Sequence, residues 1–231
     1  MRFVDLMTDR KFVLVVSLPS NDLELAKAAL EGGADAVKVH CNVWHRASGH
    51  TFGTYEDNKD FLKDLIGLCG DVPVGLVPGT SEAFITEAEL RELEEMGLDF
   101  ISAYSQNLPM FAMDSKVITN AVAIGSDYTK ADLDAIRDSE IQILECSIVP
   151  GEAYGKDLTC ADTLRYSGIA KRTGKPCMVP TQKRIRPEDV KHLYRAGCKA
   201  LMIGAIVLGQ DPTPEKLREV TAAFRAAVDA L

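Results

Sequence analysis

Three of the chain's four histidines fall within residues 37–53, VKVHCNVWHRASGHTFG, as His40, His45 and His50, and Lys38 stands two residues before the first. Imidazole passes protons or ligates metals near neutral pH, and a lysine holds an anion or stabilises a developing one. The five-residue steps between these histidines match neither the i,i+4 pair of a zinc-binding helix nor a zinc finger. A divalent metal at His40 would therefore need ligands from other elements, and no cofactor is predicted. The segment IQILECS supplies Glu145, a carboxylate suited to general acid–base work. The segment TQKR supplies Lys183 and Arg184, cations that could receive an oxyanion, Arg through a two-pronged fork.

Whether these groups meet depends on the elements that carry them. Short β-branched runs fall at 12–17, 36–41, 72–77, 100–104, 117–123, 142–147, 177–181 and 200–204, alternating with amphipathic stretches. Capping signals mark helix starts at Asn21 with Glu24, Thr86 with Glu89, Thr129 with Asp132 and Thr159 with Asp162. Pro187 and Pro214 suit first-turn positions, where no N–H is needed. Glycines close helices in EGG, EMG, RTG and RAG. ALEGGADAVKV, LEEMGLDFISA and LYRAGCKALMI repeat one phrase: helix end, glycine, two residues, strand. Eight β–α units without a linker predict one domain over residues 1–231, a (β/α)8 barrel of parallel strands, with an open doubly wound sheet as the alternative. Only a short stretch separates the fourth and fifth strands, so the fourth helix is expected to be shortened to one or two turns.

In such barrels chemistry sits at the C-terminal ends of the strands. Strand alternation puts Val37 and Val39 on one face and Lys38 and His40 on the other, here the barrel interior. A buried ammonium must pair with a carboxylate or bind a ligand. If Ile143 faces inward, so do Glu145 and Ser147, on the strand opposite Lys38. The two then either flank a substrate or form a structural ion pair. His40 serves the site or is a satisfied core histidine. His45 and His50 are expected in a long loop, 42–54, as solvated rings. Ser17, Ser102, Tyr104, Gln106 and Asn120 are secondary candidates for the mouth. Gly151 and Gly155 would permit a lid after the sixth strand.

Composition narrows the partners. A net charge of −8 excludes a broad nucleic-acid footprint. No run of 18 apolar residues predicts a membrane span, and the N-terminal stretch lacks a signal-peptide cleavage pattern. The six cysteines contain no C-x-x-C pair, so reduced thiols and a cytoplasmic location are expected.

The last quarter, CMVPTQKRIRPEDVKHLYRAGCKALMIGAIVLG, resembles the seventh and eighth strands of the ribulose-phosphate-binding barrel superfamily. Ile185, Pro187, Glu188, Asp189 and Val190 match a helix start there, and Ile203, Gly204, Ala205 and Ile206 match the run that opens a short extra helix. LVVSLPSNDLELAKAALEGGADAVKVH resembles the superfamily's first βαβ unit, in which some members carry a lysine at the place of Lys38. The resemblance implies a phosphate held at Gly204 and Ala205 by backbone N–H groups. Thr181, Gln182, Lys183 and Arg184 stand where the superfamily often has glycines, so charge from Lys183 or Arg184 could substitute for backbone. VPVGLVPGTS lacks the Asp-x-Lys-x-x-Asp array of the superfamily's decarboxylases, so that chemistry does not carry over.

The expectation is an enzyme, isomerase, epimerase or carbon–carbon lyase, acting on a small phosphorylated substrate by proton transfer next to a carbonyl. A non-catalytic phosphometabolite-binding barrel and a metal-assisted hydrolase using His40 are the alternatives. Exposed helices of such a barrel admit a homo-oligomer.

Overall fold

The computed structural model describes residues 2–231. Its frame is a closed ring of strands β1 (Val13–Ser17), β2 (Ala36–His40), β3 (Val74–Val77), β4 (Phe100–Tyr104), β5 (Thr119–Ile124), β6 (Ile143–Cys146), β7 (Cys177–Pro180) and β8 (Ala200–Ile203). Each strand pairs in parallel with its sequence neighbours, and β1 closes on β8. The chain is therefore a (β/α)8 barrel, as its alternating pattern predicts.

Residue alternation builds two apolar layers. Val13, Val15, Ala36, Phe100, Ala121, Ile143, Met178, Ala200 and Met202 fill the ring. Leu14, Val16, Val37, Val39, Leu76, Leu144 and Leu201 face the helices. Helices Leu23–Glu31, Tyr55–Cys69, Glu87–Met96, Lys130–Arg137, Cys160–Thr173 and Pro214–Asp229 form most of the outer layer. The fourth is one turn, Met110–Met113. Capping boxes stand at Thr86, Thr129 and Thr159 as expected, with another at Thr54 and Asp57.

The first cap differs. Asp22 accepts from the N–H groups of Glu24 and Leu25, because its carboxylate is the stronger acceptor and sits one residue nearer the helix. Asn21 instead donates to His40 O and to Asn58 Oδ1, at 2.7 Å each, tying β1's loop to the end of β2.

Two elements escape the sequence reading. The helix Phe3–Asp9 buries Phe3, Leu6 and Met7 against the barrel's inner cluster. It plugs the N-terminal end, with Phe3 stacked on Phe100 at 3.9 Å between ring centroids. Gly75 on β3 leaves room for that ring: a methyl group there would overlap Phe100. At the opposite end, the expected loop 42–54 is an antiparallel hairpin, Val43–His45 against His50–Phe52. Among the described residues no helix is long and apolar enough to cross a membrane.

Candidate active site

The C-terminal mouth of the barrel holds a cavity of about 480 Å³, ample for a small metabolite. At its floor Lys38 of β2 and Glu145 of β6 reach toward each other from opposite sides of the ring, Nζ to Oε2 at 3.8 Å, both buried. Glu145 Oε2 also accepts from Ser102 Oγ, and Oε1 accepts from Ser147 Oγ at 2.8 Å. The carboxylate thus has one cation and two hydroxyls, the partners a buried charge requires. Burial pushes the Lys38 ammonium below its usual pKa, against the opposing pull of the Glu145 charge.

His40 completes the floor. It is fully buried, and neither ring nitrogen has a hydrogen-bond partner. Its ring packs 4.4 Å from that of His45 and 4.6 Å from that of Phe52. Burial foremost, then the neighbouring His45 and Lys38 charges, holds His40 well below the usual histidine range. Burial and Lys38 likewise push His45 down to about 4, and its Nδ1 lies 2.9 Å from Ser48 Oγ. Both rings are therefore neutral near pH 7, each able to accept a proton. His50 is structural instead: Nδ1 lies 2.9 Å from Pro19 O and Nε2 3.1 Å from Asp211 Oδ1, anchoring the hairpin to the loops after β1 and β8.

Ser17, Ser102 and Tyr104 line the cavity, as do Gly204 and Ala205. Burial pushes the Tyr104 hydroxyl up to about 12, so it stays a neutral donor. Gly204 N–H donates to Thr181 Oγ1 at 2.9 Å, so one of the two amides expected to hold phosphate is already occupied.

Three expected residues lie elsewhere. Asn120 faces the helices and donates to Ala112 O at 3.0 Å, because Ala121 and Ala123 of β5 take the inward positions. Lys183 is buried 3.5 Å from Asp162 Oδ2 and borders a separate cavity of about 70 Å³. Arg184 is exposed on Asp157, Nε to Oδ1 at 2.8 Å. The two cations are drawn away because the loop after β6 runs beside the loop after β7: Arg184 N–H donates to Lys156 O, and Gly155 N–H to Gln182 O, both at 2.9 Å. The glycines at 151 and 155 thus belong to a loop already hydrogen-bonded to its neighbour. Gln106 is exposed and outside the cavity.

Arg46, Trp44, Thr80, Asp127, Tyr154 and Gln182 also line the mouth. The sequence carries one signal for them, that loops following strand ends gather at the mouth. Gln182 Nε2 donates to Tyr154 OH at 2.6 Å, and its Oε1 accepts from Val149 N–H at 3.0 Å. Among the described residues, no three His, Cys, Asp or Glu side chains are grouped to hold a metal.

No protein-family model matches the sequence, and no curated protein matches it. Solved structures do match in fold. The tryptophan synthase alpha subunit of Legionella pneumophila superposes over 100% of both chains with TM-score 0.75 at 14% identity. KGPDC from Streptococcus mutans, in complex with ribose-5-phosphate, gives 0.66 at 13% identity over 96% of this chain and 99% of its own. Thiamine phosphate pyrophosphorylase from Pyrococcus furiosus gives 0.68 at 13% identity over 95% of this chain and 96% of its own. These are barrels of the group the sequence resembles. At such identities the likeness is one of architecture, and it places the chain among the enzyme-bearing (β/α)8 barrels by fold.

Proposed function

We propose that this chain is an enzyme that moves a proton next to the carbonyl of a small phosphorylated metabolite, as an isomerase, an epimerase or a carbon–carbon lyase. The observation that carries the reading is the buried Lys38–Glu145 pair at the floor of an open cavity, beside a neutral histidine with no other partner. Fold alone assigns no chemistry. These groups do offer the parts an enolisation needs.

A base takes the proton from the carbon beside the carbonyl, and the C–H electron pair becomes the enolate. Glu145 or His40 accepts that proton and returns it. The Lys38 ammonium stabilises the negative oxygen in a site that excludes water, where a fixed charge acts most strongly. In an isomerase or epimerase the proton goes back to carbon; in a lyase the enolate forms as the carbon–carbon bond breaks. Lys38 acts as a charge, held by Glu145, so borohydride with substrate is expected to leave no lysine adduct. Ser17, Tyr104, Gly204 and Ala205 would orient the substrate along the wall. The phosphoryl group is part of the reading because the known structures this fold matches include one bound to ribose-5-phosphate.

The test is solvent exchange. Phosphorylated aldoses, ketoses and keto acids are incubated with the protein in D2O, and deuterium next to the carbonyl is followed by NMR. Incorporation that Glu145→Gln lowers by about two orders of magnitude or more, the lower end for a general base, supports the reading. A panel that binds without exchanging would leave the second reading, a non-catalytic binding barrel, which the complete pairing of Glu145 also favours.

A further inference from the structure

The sequence places the substrate's anion on Lys183 and Arg184, but both are spent on carboxylates. The cavity wall contains only two lysine or arginine side chains, Lys38 and Arg46. Lys38 is paired with Glu145. Arg46 takes part in none of the ion pairs formed among the described residues.

Its position is set by the hairpin that follows β2. Arg46 begins the turn between the hairpin strands, and His50 pins the returning strand to Pro19 and Asp211. From there Arg46 reaches the loop after β6, the strand opposite β2 in the ring. The hairpin therefore arches over the mouth, and Val43, Trp44, His45 and Ala47 line the cavity beside Arg46.

Gly151 receives the guanidinium. A methyl group at residue 151 would overlap Nη1 of Arg46, although the backbone there lies outside the left-handed region and would accept any residue. Tyr104 and Tyr154 stand close by. Burial raises both phenols, and the Arg46 charge opposes that rise. An unpaired guanidinium beside two neutral hydroxyl donors is a receptor for a tetrahedral oxyanion, since Arg presents two parallel N–H groups to two oxygens. The rim also carries one exposed carboxylate, Asp127, from the loop after β5.

We propose that Arg46 binds the substrate's phosphoryl group, with Gly151 kept free of a side chain as the seat of its guanidinium. The proposal rests on the phosphorylated-substrate reading above and moves the anion from the β7 loop to the β2 hairpin.

The experiment is calorimetric titration of the full chain with inorganic phosphate, using wild type, Arg46→Ala, Arg46→Lys, Gly151→Ala and the Arg46→Ala/Gly151→Ala double variant. Melting temperatures without phosphate confirm that each is folded. Losing a hydrogen bond to a charged group costs about 1.5–3 kcal/mol, a roughly ten- to hundredfold weaker Kd, and that loss is expected for Arg46→Ala. Arg46→Lys should fall between it and wild type. Gly151→Ala should weaken binding with every charge still present, and the double variant should be no weaker than Arg46→Ala alone. Wild-type affinity in both Arg46→Ala and Gly151→Ala would overturn the proposal and leave the phosphorylated-substrate reading standing. Absence of phosphate binding in wild type itself would overturn both.

Discussion

Replacing Glu145 by glutamine isolates the charge of the central pair while preserving its volume and an oxygen for the hydroxyls of Ser102 and Ser147. At the 3.8 Å separation of Nζ and Oε2, with an effective dielectric constant of about 20, the lost attraction is about 4 kcal/mol. Breaking a buried pair by removing one partner costs about 3–5 kcal/mol in general, so the two routes agree. At about 2–4 °C per kcal/mol for a chain of this size, Tm at pH 7 should fall by roughly 8–16 °C. The deficit should depend on pH. Burial already holds the Lys38 pKa below 10.5, and removing Glu145 lowers it further. Between the folded value and 10.5 the unfolded chain binds more protons than the folded one, so stability rises with pH across that window. A neutral amine needs no counter-charge, and the variant's deficit at pH 10 should be smaller than at pH 7. Lys38→Met added to Glu145→Gln should recover part of the loss by removing the orphaned ammonium. Thermal denaturation of the three proteins at both pH values checks this. A Glu145→Gln protein within about 0.5 °C of wild type at pH 7, where effects below measurable size would sit, or a double variant less stable than Glu145→Gln, would refute the electrostatic account.

Other expectations concern the same architecture. His40 and His45 stay neutral in the fold while an unfolded histidine titrates near 6.5, so the unfolded chain binds more protons as pH falls below that value. Stability should drop by up to about 1.4 kcal/mol per pH unit for each ring, toward about pH 4 for His45, and ¹⁵N NMR at pH 6 should show two neutral imidazoles. Lys183→Met leaves the Asp162 carboxylate buried with one cation fewer. It should lower stability in urea denaturation by at least about 1 kcal/mol while leaving phosphate affinity unchanged; a loss of affinity would return the anion to the β7 loop. Gly75→Ala inserts a methyl group into the Phe100 ring and should cost about 1–3 kcal/mol as overpacking, read from the same denaturation curves.

The sequence by itself determined the barrel. Glycine-terminated helices followed two residues later by β-branched runs recur along the chain, and each such unit can bury its strand only against neighbours of the same kind. Alternation within ADAVKVH and IQILECS also determined that Lys38, His40 and Glu145 point inward, because side-chain direction in a strand has a period of two. Opposite strands then had to bring Lys38 and Glu145 together, and they do.

Tertiary structure decided the rest. Asn120 faces the helices because the inward positions of β5 belong to its alanines, and the run 117–123 gave no way to choose between its two faces. Lys183 and Arg184 read as anion ligands until the loop after β6 brings Asp157 alongside and Asp162 caps the next helix within reach. The hairpin's arch over the mouth depends on Pro19, Gly151 and Asp211, contacts made between loops far apart in the chain. Local periodicity fixes which face a residue takes on its own element. Which charge meets which depends on loops converging at one end of the ring, and no spacing within a single segment encodes that.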